Sequence, residues 1–490
     1  MPTIQTDPHI TTALTGASTT PYWLDSVELP DPQPPLRGHT TADLVIVGGG
    51  FTGLWTALQA VEQDEAQDES QDAASGRARH IVLLEGTETG WAASGRNGGF
   101  CSASLTHGVA NGVHHFPDEA ARLNELGLAN LDAIQETVAR LGIDCDFERT
   151  GEISLAFEDW QVEQLKKADD PAHGYHYLDA DEVRDHIHAA GALGGLLDER
   201  NNALLHPAKL VLGLRRVLLE KGVEIHEHSL VKDLREVESG TAVAVETDLG
   251  SVTAPAVALA TNVFPSLLKK VALHTVPVYD YALMTQPLTD AQLDAVGWAG
   301  REGLDDVTNR FHYFRLTADN RILWGGWDAV YHFGKKVLPK YDQRPETFET
   351  LAGQFYAMFP QLDGTSPEAV DGGVVFSNKW GGAIDTCSRF FPFFTTAFHG
   401  RVAYTAGFTG LGVGASRFAG RVMLDLLSGE RTELTELAMV KKLPKPFPPE
   451  PVAWLSVQLM TKALVKADQN EGRRGPFLKV MDALKMGFDS

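Results

Sequence analysis

Cysteine is scarce in this 490-residue chain, which has only Cys101, Cys145 and Cys387. Three scattered thiols exclude a disulfide framework and a zinc knuckle, and they favour a reducing, cytoplasmic setting. No Lys or Arg precedes Arg37 and no long apolar stretch lies near the start, so no secretory signal is expected. No uninterrupted run of ~18 apolar residues occurs, so no integral membrane segment is expected. Positive charge is also short: 42 Lys and Arg face 65 Asp and Glu, a net charge of -23. That balance excludes nucleic acid as a partner, because phosphate binding needs a basic surface. His114-His115, His186-x-His188 and His226-x-His228 lack carboxylate or cysteine partners at ligand spacing, so no metal site is expected. What remains is an ordinary globular composition, 43% hydrophobic and 22% charged, long enough for two or three domains.

Glycine is where the information lies. Leu44 to Val47 is an apolar strand that runs into Gly48, Gly50 and Gly53, with Phe51 and Thr52 between the last two, and then into a helix-compatible run to Val61. In a dinucleotide fold the first glycine makes a tight turn and the second admits a pyrophosphate. The third lets helix and strand pack closely, with the helix N-terminal amides facing the phosphates. Taken alone, the motif leaves NAD and FAD nearly equal.

Residues 1–40, rich in Thr, Pro and Asp, read as an arm in which Tyr22 and Trp23 dock onto something apolar. Between Glu62 and Asp72 six of eleven residues are acidic, which reads as a solvated insertion. His80 to Glu85 re-enters a buried strand, and Glu85 at its end suits a ribose hydroxyl. Further along, the pattern predicts a helix from Glu119 to Leu141, a strand from Gly151 to Phe157, and a helix over 208–220. Strands follow at Val223 to Val231, Ala242 to Thr247 and Ala256 to Asn262. Between about 275 and 370 aromatic-rich strands (Val276 to Met284, Phe311 to Leu316, Arg321 to Trp327) suggest a separate antiparallel sheet beside a helix from Pro345 to Phe359.

Three further stretches carry chemistry. Gly90 to Gly99 (GWAASGRNGG) offers small residues whose amides can converge on phosphate, with Arg96 as a cation. Ala403 to Ser416 (AYTAGFTGLGVGAS) leads into another helix, whose N-terminus suits a group that must hold negative charge. Trp380 to Asp385 sets a glycine pair against an aromatic, suiting close approach to a flat ligand.

Together VIVGGGFTGL, the Gly90 to Gly99 loop and YTAGFTGLGVGAS resemble the D-amino-acid oxidase (DAO) superfamily of FAD-dependent oxidoreductases, in its gamma-glutamylputrescine oxidase-like branch. The resemblance implies an α/β fold: a Rossmann-like FAD-binding domain of 41–110, 200–274 and 372–432, and a mainly antiparallel substrate domain of 111–199 and 275–371. A tail follows from 433 to 490. It implies Gly48, Gly50, Phe51, Thr52 and Gly53 at the pyrophosphate and Glu85 at the ribose. Ser94, Arg96, Asn97, Gly98 and Gly99 would lie along the pyrophosphate, ribityl chain and flavin. Val231 would face the adenine, Thr261 would add a contact, and Gly407, Gly410, Leu411 and Gly412 would approach the isoalloxazine. The implied reaction removes a hydride from a carbon bearing an amine, giving an imine that hydrolyses, with oxygen reoxidising the flavin. An obligatory acid–base residue is not implied.

Two departures matter. Covalent members carry a cysteine where this chain has Gly381 or Gly382, and Cys387 comes several residues too late, so FAD is expected to be non-covalent. Monomeric sarcosine oxidases place a lysine over the flavin to assist oxygen, where this chain offers Leu323. A dehydrogenase of the same fold passing electrons to another acceptor therefore stays open, as does a non-catalytic flavin-binding protein. Among substrate-side candidates Tyr313 and Arg315 alternate on one strand, and Arg315 suits a carboxylate. Trp324, Trp327 and Trp380 could box a cationic amine, although core packing explains each as well. Cys101 reads as a buried small residue. The tail from 441 to 490 holds nine Lys or Arg against five Asp or Glu, which suggests docking onto the acidic body.

Overall fold

Leu44–Val47 is buried at every position, and a short strand with no exposed face belongs inside a parallel sheet. In the computed structural model, which describes residues 8–69, 78–238 and 240–486, it lies within a six-stranded sheet. The order is Phe393–Ala397, Val402–Ala406, Ala256–Leu259, Leu44–Val47, Ile81–Leu84, Glu224–His226. All pairings are parallel except the first. Helices Phe51–Glu69, Pro207–Glu220 and Gly412–Ser428 pack together on one face, burying Trp55, Leu58, Leu214 and Met423 against Ile46 and Leu83. On the other face lies a four-stranded sheet of Gly38–Thr41, Gly250–Ala254, Val243–Glu246 and Asp233–Glu236, joined through Val45, Val82, Val245 and Val252.

A nine-stranded sheet forms the second layer system. Its order is Val330–Tyr331, Thr275–Thr285, Ile322–Gly326, His312–Leu316, Gly303–Asp306, Glu152–Ala156, Gly194–Asp198, Tyr175–Asp179, with Phe376–Cys387 also pairing Thr275–Thr285. One face packs Phe314, Trp324 and Leu283 against the helix Pro345–Met358. The other face turns toward the six-stranded sheet, and the space between them is the cavity described below.

The aromatic-rich strands do form a sheet apart from the six-stranded one, and Glu152–Ala156, pairing parallel to Gly303–Asp306, joins the 152–198 strands to it. Other expectations need correction. Residues 376–387 belong to this sheet and not to the FAD-binding layer, since they pair with 275–285 along their whole length. The strand expected to run to Val231 stops at His226, and His228 turns with φ of 50°. The supposed insertion from Glu62 is no loop up to Glu69: it forms the last turns of the helix Phe51–Glu69. Glu, Gln and Ala are good helix formers. Three of the acids have basic partners, with Glu62 pairing Arg140, Asp64 pairing Arg79 and Glu65 pairing Lys221. The rest of that stretch, 70–72, lies outside the described residues.

The arm does dock: Trp23 is buried and its indole N–H donates to the Asn97 carbonyl at 2.6 Å, while the Tyr22 hydroxyl donates to Asp319 at 2.7 Å. The tail also lies on the body, with Lys485 donating to the His114 carbonyl at 2.6 Å. Glu450 accepts from the Tyr331 hydroxyl and the Gly334 amide, and Asp468 accepts from Asn309. Within the tail helix Val452–Asp468, Lys462 and Lys466 stay exposed while Val457, Met460 and Leu464 line the cavity.

Candidate functional site

The Gly48 turn shows why glycine is needed there. Gly48 sits at φ +113°, and a Cβ on it would lie 2.4 Å from the Ala260 carbonyl oxygen. A Cβ on Gly53 would lie 1.9 Å from the Gly48 oxygen, which is the close helix–strand approach the spacing predicts. On Gly50 it would come within 2.9 Å of Ser94 Oγ, the atom that accepts the Phe51 amide at 2.9 Å. Ser94 therefore locks the second loop onto the first helix turn. Thr52 lines the cavity beside it, and Phe51 is buried against the core. Glu85, at the rim, accepts from the Gly49 amide at 2.6 Å, the Thr87 amide at 2.9 Å and Trp91 Nε1 at 3.1 Å. Burial holds its carboxyl above the usual carboxylate range, against those hydrogen bonds.

The second loop is braced from within. Asn97 donates to the Ala93 carbonyl at 2.9 Å and accepts the Gly99 amide at 2.8 Å. Arg96 is not a free cation for phosphate: it pairs with Asp342 at 2.6 Å and donates to the Trp91 carbonyl at 2.9 Å. A planar guanidinium with two fixed acceptors is committed in direction. Gly98 lies where a Cβ would strike the Tyr313 ring at 2.8 Å.

Arg315 also departs from expectation. It is buried on the arm side, with its Nη1 donating to the Gly99 carbonyl at 3.1 Å and the Leu205 carbonyl at 2.8 Å. It does not line the large cavity, so it clamps the second loop and is not available to a substrate carboxylate. Burial pushes its guanidinium down to about 10. Trp380 joins the same buried cluster as Trp23 and Leu323, and its Nε1 donates to the Arg96 carbonyl at 2.9 Å. The three tryptophans build no box. Trp324 is buried on the opposite face of the sheet against His312 and Phe355, and Trp327 is stacked by Arg310 at 3.6 Å.

The returning loop is held by a residue the motif reading quoted without assigning. Asp385 accepts from the Gly407 amide at 2.5 Å and the Phe408 amide at 3.2 Å, and burial pushes it up to about 7. Its signal was an acid ending the strand Phe376–Cys387, visible only once that strand is placed under the loop. Gly410, at φ +97°, faces open space, and Leu411 and Gly412 begin the helix Gly412–Ser428. Cys387 lies behind Gly407 with its Sγ at 3.1 Å from the Phe391 carbonyl, buried and turned from the cavity lining. Cys101 is fully buried, and burial pushes its thiol up to about 12. Val231 and Thr261 both border the cavity.

On the cavity face of the nine-stranded sheet, Tyr313 donates its hydroxyl to Asp280 Oδ2 at 2.7 Å. Asp280 is the cross-strand partner of Gly382, which packs near Arg96 of the second loop. Burial pushes Asp280 up to about 6, opposed by the Tyr313 hydrogen bond. Asp280 was missed in the sequence because a single acid in an aromatic strand carries no spacing signal.

One continuous cavity of about 2400 Å³ links these parts. That exceeds the ~300–1,000 Å³ of an ordinary small-molecule pocket several-fold, leaving room for a dinucleotide and a substrate together. Among the described residues no group of three or more His, Cys, Asp or Glu could hold a metal ion, and no helix is long and apolar enough to cross a membrane.

A glycine turn at a helix N-terminus, an acid ending the next strand and two further glycine loops on one cavity define a dinucleotide-binding flavoprotein. The chain belongs to the FAD dependent oxidoreductase (DAO) family, whose model matches residues 43–426. It is 28% identical over 430 residues to the "Probable oxidoreductase OrdL" of Haemophilus influenzae, covering 84% of this chain and 89% of the relative. It is 27% identical over 438 residues to the gamma-glutamylputrescine oxidoreductase of Escherichia coli, covering 87% of this chain and 93% of the relative. Its fold is similar to glycine oxidase from Geobacillus kaustophilus (TM-score 0.65, 18% identity, covering 82% of this chain and 99% of that one). FAD fits this site on the structure's own terms, because Gly48, Gly50, Gly410 and Gly412 line the cavity with bare backbone and the cavity runs unbroken from Glu85 past Gly410 to Tyr313.

Proposed function

We propose that this FAD-dependent oxidoreductase oxidises an amine or amino acid at a carbon–nitrogen bond, with the imine then hydrolysed. The carrying observation is the Tyr313–Asp280 pair, an oriented carboxyl on the cavity wall beside the flavin loop. When bound, FAD supplies a hydride acceptor at its isoalloxazine ring. The chain's residues do the rest. Gly48, Gly50, Phe51, Thr52 and Gly53 would hold the pyrophosphate, and Glu85 the adenosine ribose. Ser94, Asn97, Gly98 and Gly99 would shape the passage along the ribityl chain, with Val231 and Thr261 at its sides. Gly407, Gly410, Leu411 and Gly412 would approach the isoalloxazine with backbone. Trp380, Arg96 and Arg315 position that passage from behind.

Asp280 accepts the ammonium of the arriving amine, and Tyr313 fixes the carboxyl's orientation through its hydroxyl. A carboxyl near 6 is ionised at neutral pH yet basic enough to take a proton as the amine becomes neutral. The relatives named for oxidation of gamma-glutamylputrescine and glycine support an amine class. Oxygen is the proposed acceptor, giving peroxide, and FAD is proposed to be non-covalent because Cys387 points behind the Gly407 loop.

Anaerobic mixing with a panel of amines and amino acids tests this. Bleaching of the flavin band is expected, followed by recovery and peroxide in air. A band untouched by every amine sinks the reading. Bleaching with slow recovery in air replaces oxygen by another acceptor. Acid precipitation should leave the yellow colour in the supernatant.

A further inference from the structure

We propose that the outer face of the C-terminal helical pair is a docking surface for an anionic lipid bilayer, built from exposed leucines and valines together with three unpaired lysines.

Seven of the seventeen large apolar side chains exposed among the described residues fall between Leu443 and Leu484, a short part of the chain. Their spacing is helical. On the helix Val452–Asp468, Val452, Leu455 and Leu459 stand at i, i+3 and i+7, each 50–55% exposed. Lys462 and Lys466 continue the same stripe at the next steps of three and four residues, also exposed. The opposite face is already used, since Ala453 and Ala467 are buried while Val457, Met460 and Leu464 line the cavity. The helix Pro476–Ala483 packs against the first and repeats the pattern. Phe477, Val480 and Leu484 are exposed at i, i+3 and i+7, Lys479 is exposed between the first two, and Leu478 is buried.

Charge decides what covers these stripes. Residues 441–490 hold nine Lys or Arg against five Asp or Glu, in a chain whose net charge is -23. The acids of the two helices and their flanks are committed. Glu450 accepts from the Tyr331 hydroxyl and the Trp454 amide, and Asp468 accepts from Asn309. Glu471 pairs with Arg473, and Asp482 with Arg474. Lys462, Lys466 and Lys479 have no ion pair among the described residues. Docking of these lysines on the acidic body would have paired them. A second copy meeting tail to tail would set lysine against lysine. An anionic bilayer satisfies both features at once: its acyl region takes up the apolar side chains, and the lysine stems lie along them while the ammoniums reach lipid phosphates. At physiological salt the Debye length is about 8 Å, so lysines in contact act while the acidic body beyond is screened. No helix among the described residues is long and apolar enough to cross a membrane, so this is attachment at the surface. A helix is about 10 Å across, so a protein seated this way holds its cavity one helix diameter from the lipid.

Flotation of the holoenzyme with vesicles at physiological salt tests this and needs no substrate. Vesicles of equal parts phosphatidylcholine and phosphatidylglycerol should carry the yellow protein upward, and pure phosphatidylcholine should bind it at least about tenfold more weakly. Lys462→Gln with Lys466→Gln and Lys479→Gln should weaken binding to the anionic vesicles about a hundredfold, the scale of three lysines at the surface. Leu455→Ser with Leu459→Ser and Val480→Ser should weaken it about tenfold or more. None of these six side chains lines the cavity, so flavin content and melting temperature should match the parent. Should the serine set lose flavin, the lysine set, which removes no packing, decides alone. A holoenzyme that floats with neither vesicle overturns the proposal, as does equal binding to both or binding indifferent to the lysine set. If no vesicle is bound and light scattering shows a dimer that the serine set splits into monomers, a second copy covers the face instead.

Discussion

The six-stranded and nine-stranded sheets face the same cavity with different materials. The first presents backbone: amides and glycines at Gly48 to Gly53 and Gly407 to Gly412, where a Cβ on Gly48, Gly53 or Gly407 would come within 3 Å of protein atoms and Gly410 opens onto the cavity. The second presents side chains, Tyr313 and Asp280 among them. A phosphate-bearing cofactor is met by oriented amides, which need the absence of side chains. A substrate is met by particular functional groups, which need their presence. Disturbing the first wall should therefore abolish the holoenzyme, while disturbing the second should alter what it accepts.

The largest effect is expected from Gly53→Ala. Its Cβ would lie 1.9 Å from the Gly48 oxygen, a backbone atom that cannot swing aside. The purified variant should be colourless or insoluble, read as the ratio of flavin to protein absorbance. A yellow, stable Gly53→Ala protein would mean that this wall tolerates side chains and that the contrast is false.

Next comes Arg315→Leu, which lies on the boundary between the two walls. Removing the guanidinium takes its donor from the Leu205 carbonyl, worth about 1–3 kcal/mol if left unpaired, and leaves the Gly99 carbonyl with the Leu205 amide alone. A fall in melting temperature and at least about tenfold weaker FAD retention should follow, equally for all substrates. If the melting temperature holds and only carboxylate-bearing substrates show a raised KM, Arg315 grips substrate after all.

This contrast also explains what was legible. The glycine loops could be read because their requirement is local: three glycines within Gly48 to Gly53 state where backbone must approach a ligand. Glu85 followed from the same local logic, as the end of the next strand. Arg315 misled because it shares the face of Tyr313 but lies at an end of the strand that the arm residue Trp23 and the loop at Gly99 cover. Asp280 and Tyr313 sit on separate strands, 33 residues apart, and meet only through strand order and register. Neither periodicity nor composition encodes register between distant strands. The acidic run at Glu62 to Glu69 failed for a related reason, since its basic partners Arg140 and Lys221 lie on other helices.

A smaller effect on the side-chain wall is expected from Asp280→Asn. With its carboxyl near 6, wild-type kcat/KM should fall as the pH drops through about 6, because protonation removes the charge that receives the ammonium. The variant should lose that acidic limb and about ten- to a hundredfold in kcat/KM near neutrality, within the usual range for a positioned acid–base group. Its FAD content should match the parent. A variant that keeps the limb would move the titration to another group.

The smallest effect returns to the backbone wall and concerns the one ionisable group that braces it. Asp385 holds the Gly407 and Phe408 amides, and burial raises it to about 7, above the ~3.9 of an unfolded aspartate. A raised folded value means the folded protein keeps a proton that the unfolded chain has lost. The contribution of this group to stability is therefore fully present below about 3.9 and is lost as the pH rises through about 7. Asp385→Asn keeps one acceptor for the loop and removes the titration. The difference in melting temperature between variant and parent should change by about one or two degrees across that window and level off above it, the modest shift expected of one group in a chain this long. Using the difference cancels the other buried carboxyls, which titrate in both proteins. If the difference is flat with pH, Asp385 is ionised throughout and its two amide donors outweigh its burial, making this wall as electrostatically settled as its glycines are sterically.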